Sequence, residues 1–203
     1  MKIILASGSP RRRDLLQQMG VQFDVIPSSY EEQLDDSRSP EDVAMELALG
    51  KALDVATTRP DALVIGADTI VTLDGKQLGK PESAEHAKEM LRSLAGRAHE
   101  VTTGLAIVCK AKGIRQTHAD TTKVFFADYK EQAIDAYIAT GDPFDKAGAY
   151  GIQTIYGTLI TKIEGDFDTV MGLNTTSLAR MLREQNIDAV PVAISADTIH
   201  KMV

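Results

Sequence analysis

The sequence has almost no cysteine and few aromatic residues. Its 203 residues include one cysteine, Cys109, and no tryptophan, and Phe, Trp and Tyr together make up 5%. A lone cysteine forms no intramolecular disulfide, and its position after the apolar run 105–108 is typical of core packing. The absence of disulfides excludes a disulfide-stapled secreted scaffold. We therefore expect a cytoplasmic protein.

Long apolar runs and an excess of basic residues are also missing. No stretch approaches the ~20 apolar residues that span a bilayer, and the first residues do not resemble a signal peptide. The formal net charge is -7, so the surface as a whole repels nucleic acid. We expect neither a membrane nor a nucleic acid as a partner, and a phosphate ligand would need a local basic cluster.

The order of the predicted elements indicates an α/β fold. Apolar segments at 2–6 and 22–26 flank a helix that begins at Pro10, and this βαβ start favours parallel strands. The other predictions are helices at about 40–57, 84–94, 130–139 and 174–185, and strands at 62–73, 99–110, 114–127 and 158–163. We predict three layers around a mixed, partly antiparallel central sheet.

The domain prediction follows from length and composition. Residues 1–186 are predicted to form one domain, with two lobes around a cleft, because no linker or repeat divides them. Residues 187–203 form a C-terminal tail that shows no hydrophobic period, and we assign it no role. Residues 141–157 are rich in glycine and are predicted to be irregular.

Three arginines open the first helix. Ser9 is a suitable N-cap, and Pro10 suits the first helical position because no amide donor is needed there. Arg11, Arg12 and Arg13 add positive charge where a helix N-terminus is already positive. The small-residue loop and the unpaired amides therefore predict a pocket for a polyphosphate or a similar anion. A solvated basic turn is the alternative.

Two acidic residues are candidates for metal binding or proton transfer. Asp68 lies inside the predicted buried strand 62–73, where an unpaired carboxylate costs several kcal/mol. It is predicted to be a metal ligand or a general base, unless it ends a strand and bonds to a turn. Glu32, in a polar loop, could share the cation, although a loop glutamate is usually solvated.

Two lysines are candidates for phosphate binding. Lys51 falls in the same helical row as Val43, Leu47 and Val55, so it either extends along the apolar surface to water or points at an anion in a cleft. Lys80 follows a predicted hairpin in a tight turn, from which it could reach a phosphate or remain a surface lysine. The P-loop spacing is absent.

Histidine patterns that support other chemistries do not occur. The four histidines show no metal-ligand spacing, and no Ser-His-Asp or Cys-His-carboxylate pattern is present. Magnesium-assisted phosphate chemistry remains, with carboxylates for the metal and Arg and Lys for phosphate charge. Residues 145–153, where small residues surround Asp, Lys, Tyr and Gln, suit either close ligand approach or a structural loop.

Four segments resemble the motifs of Maf proteins and occur in the family's order. They are Leu5–Arg12, Gly66–Thr69, Gly79–Pro81 and Asp145–Gln153. The resemblance covers roughly residues 3–185. It implies an inosine-triphosphatase-like α/β fold and hydrolysis of a nucleoside triphosphate to the monophosphate and pyrophosphate. It also implies a divalent cation, Mg²⁺ or Mn²⁺, and a homodimer.

The resemblance also implies roles for individual residues. Asp68 falls on the family's proton acceptor, and Asp68 and Glu32 would hold the metal. The positions associated with phosphate are occupied by Ser9, Arg12, Lys51 and Lys80. Three positions that distinguish substrate classes carry Arg11, Thr69 and Gln153, a combination similar to the dTTP/UTP branch. A 7-methyl-GTP or other modified-nucleotide pyrophosphatase and a nucleotide-sensing regulator of cell division are the alternatives.

Two positions depart from the family pattern. Asn174 stands where the family usually has proline, and we expect it to cap the last helix with little other effect. Gly50 stands where a polar helix former is common, and we expect it to loosen its helix by roughly 1 kcal/mol.

Overall fold

One mixed sheet organises the protein. The computed structural model describes residues 1–192 and residue 194. Its strands are β1 (Ile3–Leu5), β2 (Asp24–Val25), β3 (Leu63–Leu73), β4 (Lys76–Leu78), β5 (Ala98–Cys109), β6 (Ile114–Phe126) and β7 (Ile160–Glu164). The strand order is β2-β1-β3-β5-β6-β7, with β4 paired to β3. β1 runs parallel to β2 and β3, and the other pairings are antiparallel.

Helices connect and cover the strands. They are α1 (Pro10–Gln18), α2 (Pro40–Thr58), α3 (Ala84–Leu94), α4 (Glu131–Ala139), α5 (Ile152–Ile155), α6 (Phe167–Met171) and α7 (Thr175–Arg183). The Ser39 and Ser83 hydroxyls cap α2 and α3 by accepting hydrogen bonds from backbone amides at 3.1 Å. The short helices α5 and α6 were not predicted, because four or five residues are too few to show a helical period.

Alternating side chains along the strands pack into hydrophobic clusters on both faces of the sheet. On one face Ile4, Val64 and Ala106 contact Ala48 and Ala52 of α2. On the other face the neighbouring strand residues join a larger core with α1, α3 and α7; these are Leu5, Leu63, Ile65, Leu105 and Ile107. The predicted three-layer α/β class with a mixed sheet is therefore confirmed.

Two glycines bring α2 directly onto the sheet. A Cβ atom on Gly66 of β3 would overlap the carbonyl oxygen of Ala48, and one on Gly104 of β5 would overlap that of Ala44. The absence of side chains at these two positions lets the helix backbone touch the strands. This close approach carries Lys51 of α2 to Asp68 of β3.

Gly50 has a packing role that its helix propensity did not predict. Helix α2 is continuous through Gly50, and a Cβ atom there would overlap the ring of Tyr30. The glycine therefore makes room for an aromatic side chain from the 28–39 loop. The expectation of a loosened helix accounted for the low helix propensity of Gly50 but not for this packing role.

The first residues of the predicted tail lie on the domain. The amide of Val190 donates to the carbonyl of Met19 at 3.1 Å, and the amide of Val192 donates to the Thr175 hydroxyl at 2.9 Å. Residue 193 and residues 195–203 of the tail lie outside the described residues. Within the described part of the chain, no helix combines the length and apolar character needed to cross a bilayer.

Candidate active site

A cleft of about 350 Å³ brings the predicted site residues together. Its walls come from the start of α1, the 28–39 loop, α2, β3, β4 and the turn after it, the segment 145–150 and α6. Eight of the nine predicted side chains line it; these are Ser9, Arg11, Arg12, Glu32, Lys51, Asp68, Thr69 and Lys80. The ninth, Gln153, lies on α5, is half-buried and does not line the cleft. Its role in substrate selection stays a prediction.

A lysine bridges two carboxylates in the cleft. The Lys51 Nζ atom is 2.6 Å from Glu32 Oε1 and also bonds to Asp68 Oδ1. Lys51 is 8% exposed and Asp68 is 5% exposed, whereas the Glu32 side chain is 42% exposed. Lys51 therefore does not extend to bulk water. It lies in the cleft, where the desolvated carboxylate of Asp68 and the more exposed Glu32 balance its charge.

The two carboxylates have opposite pKa shifts. Burial raises the pKa of Asp68, and the nearby charges of Lys51 and Arg12 only partly oppose this effect. Burial also acts to raise the pKa of Glu32, but the hydrogen bond and charge of Lys51, with Lys80 and Arg12, lower it overall. The carboxylate of Asp68 is thus the more basic of the two.

Arg12 is anchored by three acceptors. Its Nε atom donates to the Gly172 carbonyl at 2.8 Å, one terminal nitrogen donates to the Ser7 hydroxyl at 3.2 Å, and the other donates to Thr69 Oγ1 at 3.1 Å. A guanidinium group carries five N–H donors. One N–H on each terminal nitrogen therefore has no protein partner among the described residues.

The start of α1 has hydrogen-bonding groups that the described part of the protein does not use. Ser9 occupies the N-cap position, but its side chain makes no capping hydrogen bond, so the hydroxyl and the first amides of α1 are available to a ligand. Arg11 faces Asp145, with Arg11 Nη1 3.8 Å from Asp145 Oδ2. Arg13 points outward and pairs with Asp14. Two of the three arginines, Arg11 and Arg12, therefore line the cleft.

The glycine-rich segment is both a wall of the cleft and a structural loop. Lys146 Nζ donates to the Asp142 carbonyl and to Asp145 Oδ1, each at 2.6 Å. The amide of Gly151 donates to the Tyr137 hydroxyl at 2.8 Å. These bonds hold the segment in place. Its cleft-facing residues are Asp145, Lys146, Ala147 and Tyr150.

A layer of hydroxyl groups behind the cleft was missed by sequence reasoning. Thr103 of β5 is fully buried and lies 2.9 Å from the Thr69 hydroxyl. Asn174 caps α7, as predicted, by accepting from the Ser177 amide at 2.9 Å. Its side-chain amide also donates to Thr169 Oγ1 at 2.8 Å. A threonine within a strand gives no functional signal, because threonine is common in strands.

The carboxylates of the cleft fit a cation that arrives with a nucleotide. Among residues 1–192 and 194, no group of three or more His, Cys, Asp or Glu side chains is arranged to hold a metal ion. Asp68 and Glu32 supply two carboxylates at one lysine. Magnesium is usually bound by one or two carboxylates together with substrate phosphates, and Asp68 and Glu32 match that number.

Comparison with known proteins agrees with the motifs. The sequence matches the family described as Maf-like protein over residues 2–185. It is 49% identical over 187 residues to a dTTP/UTP pyrophosphatase of Bacillus cereus, covering 92% of this chain and 97% of the relative. A dTTP/UTP pyrophosphatase of Bacillus anthracis has the same identity and coverage.

Among solved structures, the Staphylococcus aureus Ham1 protein is similar with a TM-score of 0.46 and 16% sequence identity. The alignment covers 64% of this chain and 74% of that protein. The family match and the sequence identities to the Bacillus proteins are the decisive findings. They show that the chain belongs to the Maf family.

Proposed function

We propose that this chain is a nucleoside triphosphate pyrophosphatase that converts dTTP and UTP to the monophosphate and pyrophosphate. The observation that carries the proposal is the buried carboxylate of Asp68, held in a cleft that is also lined by five Arg and Lys side chains. The names of the Bacillus relatives support the same substrates. Residues 1–186 form the catalytic domain in this proposal.

The cleft residues divide the work between phosphate binding and proton transfer. The two unpartnered N–H groups of Arg12, the ammonium groups of Lys51 and Lys80, and the Ser9 hydroxyl bind the triphosphate oxygens. Asp68 accepts a proton from the water molecule whose oxygen attacks the α-phosphorus. The bond from that phosphorus to the bridging oxygen breaks, and the lysines stabilise the pyrophosphate that leaves.

The proposal includes a divalent cation, Mg²⁺ or Mn²⁺. Asp68 and Glu32 are the residues that would hold it, and it would supply charge neutralisation at the phosphate oxygens. Arg11 and Thr69, which line the cleft, and Gln153 on α5 are the proposed selectors of the pyrimidine substrate. A homodimer in the cytoplasm completes the proposal, on the strength of the family resemblance and the single reduced thiol.

The test is release of pyrophosphate from a panel of nucleoside triphosphates with Mg²⁺ present. We expect the highest kcat/KM for dTTP and UTP, and nearly complete loss of turnover in Asp68→Asn. Glu32→Gln should lose activity, whereas Glu31→Gln is a matched control, because Glu31 is exposed outside the cleft. Undiminished turnover in Asp68→Asn would remove Asp68 from the mechanism. Tight nucleotide binding without pyrophosphate release would identify a sensor instead of an enzyme.

A further inference from the structure

Three oxygen atoms form a chain of hydrogen bonds behind the cleft. Thr69 Oγ1 lies 2.9 Å from Thr103 Oγ1, and Thr103 Oγ1 lies 2.6 Å from the carbonyl oxygen of Thr169. On its other side, Thr69 Oγ1 receives an N–H from Arg12 at 3.1 Å. Thr103 and Thr169 are fully buried, whereas Thr69 lines the cleft.

The direction of every proton in this chain follows from the chemistry of its ends. A carbonyl oxygen only accepts, so the one hydroxyl proton of Thr103 is donated to Thr169. Thr103 then has no proton left for Thr69, and the Thr69 hydroxyl must be the donor between them. A guanidinium group only donates, so Thr69 accepts from Arg12. Thr69 has one lone pair left and no proton.

We propose that Thr103 is a positioning residue that makes Thr69 purely an acceptor toward the bound nucleotide. The inference rests on the proposed function and adds to it a physical reason why some nucleotides are preferred as substrates. A substrate must present an N–H or O–H group at Thr69, and one that presents an acceptor there meets repulsion between lone pairs. A buried polar group that finds no hydrogen-bond partner costs binding free energy, and this cost lets the site discriminate between substrates.

The proposed substrates narrow the choice of donor. dTTP and UTP share two donors outside the phosphates, the imide N3–H of the base and the 3′-hydroxyl of the sugar. CTP differs at the first because its ring N3 atom is an acceptor. A 2′,3′-dideoxy analogue of dTTP differs at the second because it lacks the sugar hydroxyl. Comparing CTP with UTP, and dideoxy-TTP with dTTP, therefore shows which of the two donors Thr69 accepts from.

The experiment is the isosteric change Thr103→Val, which removes the hydroxyl that takes up the Thr69 proton. The freed proton can then turn toward the cleft and meet an acceptor. Thr103→Ser retains the hydroxyl. Thr102→Val is the matched control, because buried Thr102 makes a similar 2.9 Å bond to the hydroxyl of Thr121 away from Thr69.

For each protein, kcat/KM is measured with UTP, CTP, dTTP and dideoxy-TTP, together with a melting curve. We expect Thr103→Val to lower the preference for UTP over CTP about tenfold, because the freed Thr69 proton can then be donated to N3 of CTP. The preference for dTTP over its dideoxy analogue should stay unchanged, because a sugar hydroxyl can accept that proton as well as donate its own. Thr103→Ser and Thr102→Val should keep both wild-type preferences. A purely structural role would lower all rates and the melting temperature together, leaving both ratios unchanged.

Two outcomes would overturn the inference. One is wild-type ratios in a folded Thr103→Val protein. The other, which needs no variant, is a neutron structure of the wild-type protein that places the Thr69 proton toward the cleft. If wild-type protein releases no pyrophosphate from any pyrimidine triphosphate, the proposed function fails, and the neutron structure still tests the direction of the proton.

Discussion

Replacing Lys51 with methionine tests the central ion cluster of the cleft. Methionine keeps most of the length of the side chain but removes the ammonium group that bonds to Asp68 and Glu32. Removing one partner of a buried ion pair costs about 3–5 kcal/mol, because the remaining charge stays buried without compensation. The neighbouring Arg12 and the raised pKa of Asp68 soften this effect, so we expect a loss of about 3 kcal/mol.

The loss of stability in Lys51→Met can be attributed to the Lys51–Asp68 pair only if a variant that removes Asp68 is measured as well. Asp68→Asn takes away the charge that Lys51→Met would leave unpaired, while Glu32 is exposed enough to be solvated by water. The double variant should therefore be more stable than the sum of the two single losses predicts, by about 2 kcal/mol. Urea unfolding of the four proteins without nucleotide or metal measures this coupling.

A surface lysine supplies the control. Lys88 also bridges two carboxylates, those of Glu131 and Asp135, but these lie at the surface, where ion pairs contribute little. Lys88→Met should cost much less than Lys51→Met. If losses at the two lysines are equal, or if the effects at Lys51 and Asp68 add within about 0.5 kcal/mol, the reasoning about the buried cluster is wrong.

Three further changes probe other parts of the fold. Gly50→Ala should lower the unfolding free energy because the new Cβ atom overlaps the ring of Tyr30, although alanine favours a helix by about 1 kcal/mol over glycine. In a Tyr30→Ala background the same change should stabilise the protein, and destabilisation there would contradict the packing argument. Burial lowers the pKa of His99 to about 4, so the unfolded chain binds a proton more readily than the folded one. The stability that depends on neutral His99 is fully present above about pH 6.5, and up to about 3 kcal/mol of it is lost as the pH falls toward about 4. His99→Gln should flatten the dependence of the unfolding free energy on pH over this range, and an unchanged slope would exclude His99 as its cause. Asn174→Ala should cost about 1–2 kcal/mol through the lost cap, and Asn174→Ser, which keeps a capping oxygen but not the amide donors, should cost less; equal losses in urea unfolding would remove the cap from the explanation.

Features that depend on neighbouring residues were predictable from the sequence. The caps at Ser39 and Ser83 and the hairpin turn after β3 depend on a few adjacent residues, and all three are present. The fold class followed from the order of strands and helices. Ser9 shows the limit of this reasoning, because it takes the N-cap position without making the capping bond.

The candidate site was predictable as a set of residues but not as a set of bonds. Asp68 stood out because a carboxylate inside an apolar strand needs a partner, and Lys51 because it interrupts an apolar helical row. That each is the partner of the other depends on how closely α2 approaches β3. This approach is decided by Gly66 and Gly104, whose effect lies in backbone contacts between distant segments.

The bonds around the cleft also explain how an acidic protein can hold a polyanion. Lys51 and Lys146 are paired with carboxylates, Arg11 faces Asp145, and Arg12 is bound to neutral acceptors. Within the described residues, Lys80 is the cleft cation that has no such partner. In the proposed function, a triphosphate would meet two cleft cations without a carboxylate partner among the described residues, Arg12 and Lys80, and three that are already paired. The triphosphate would replace Asp68 and Glu32 as the partner of Lys51. A divalent cation that arrives with the triphosphate would then balance the charges of these two carboxylates.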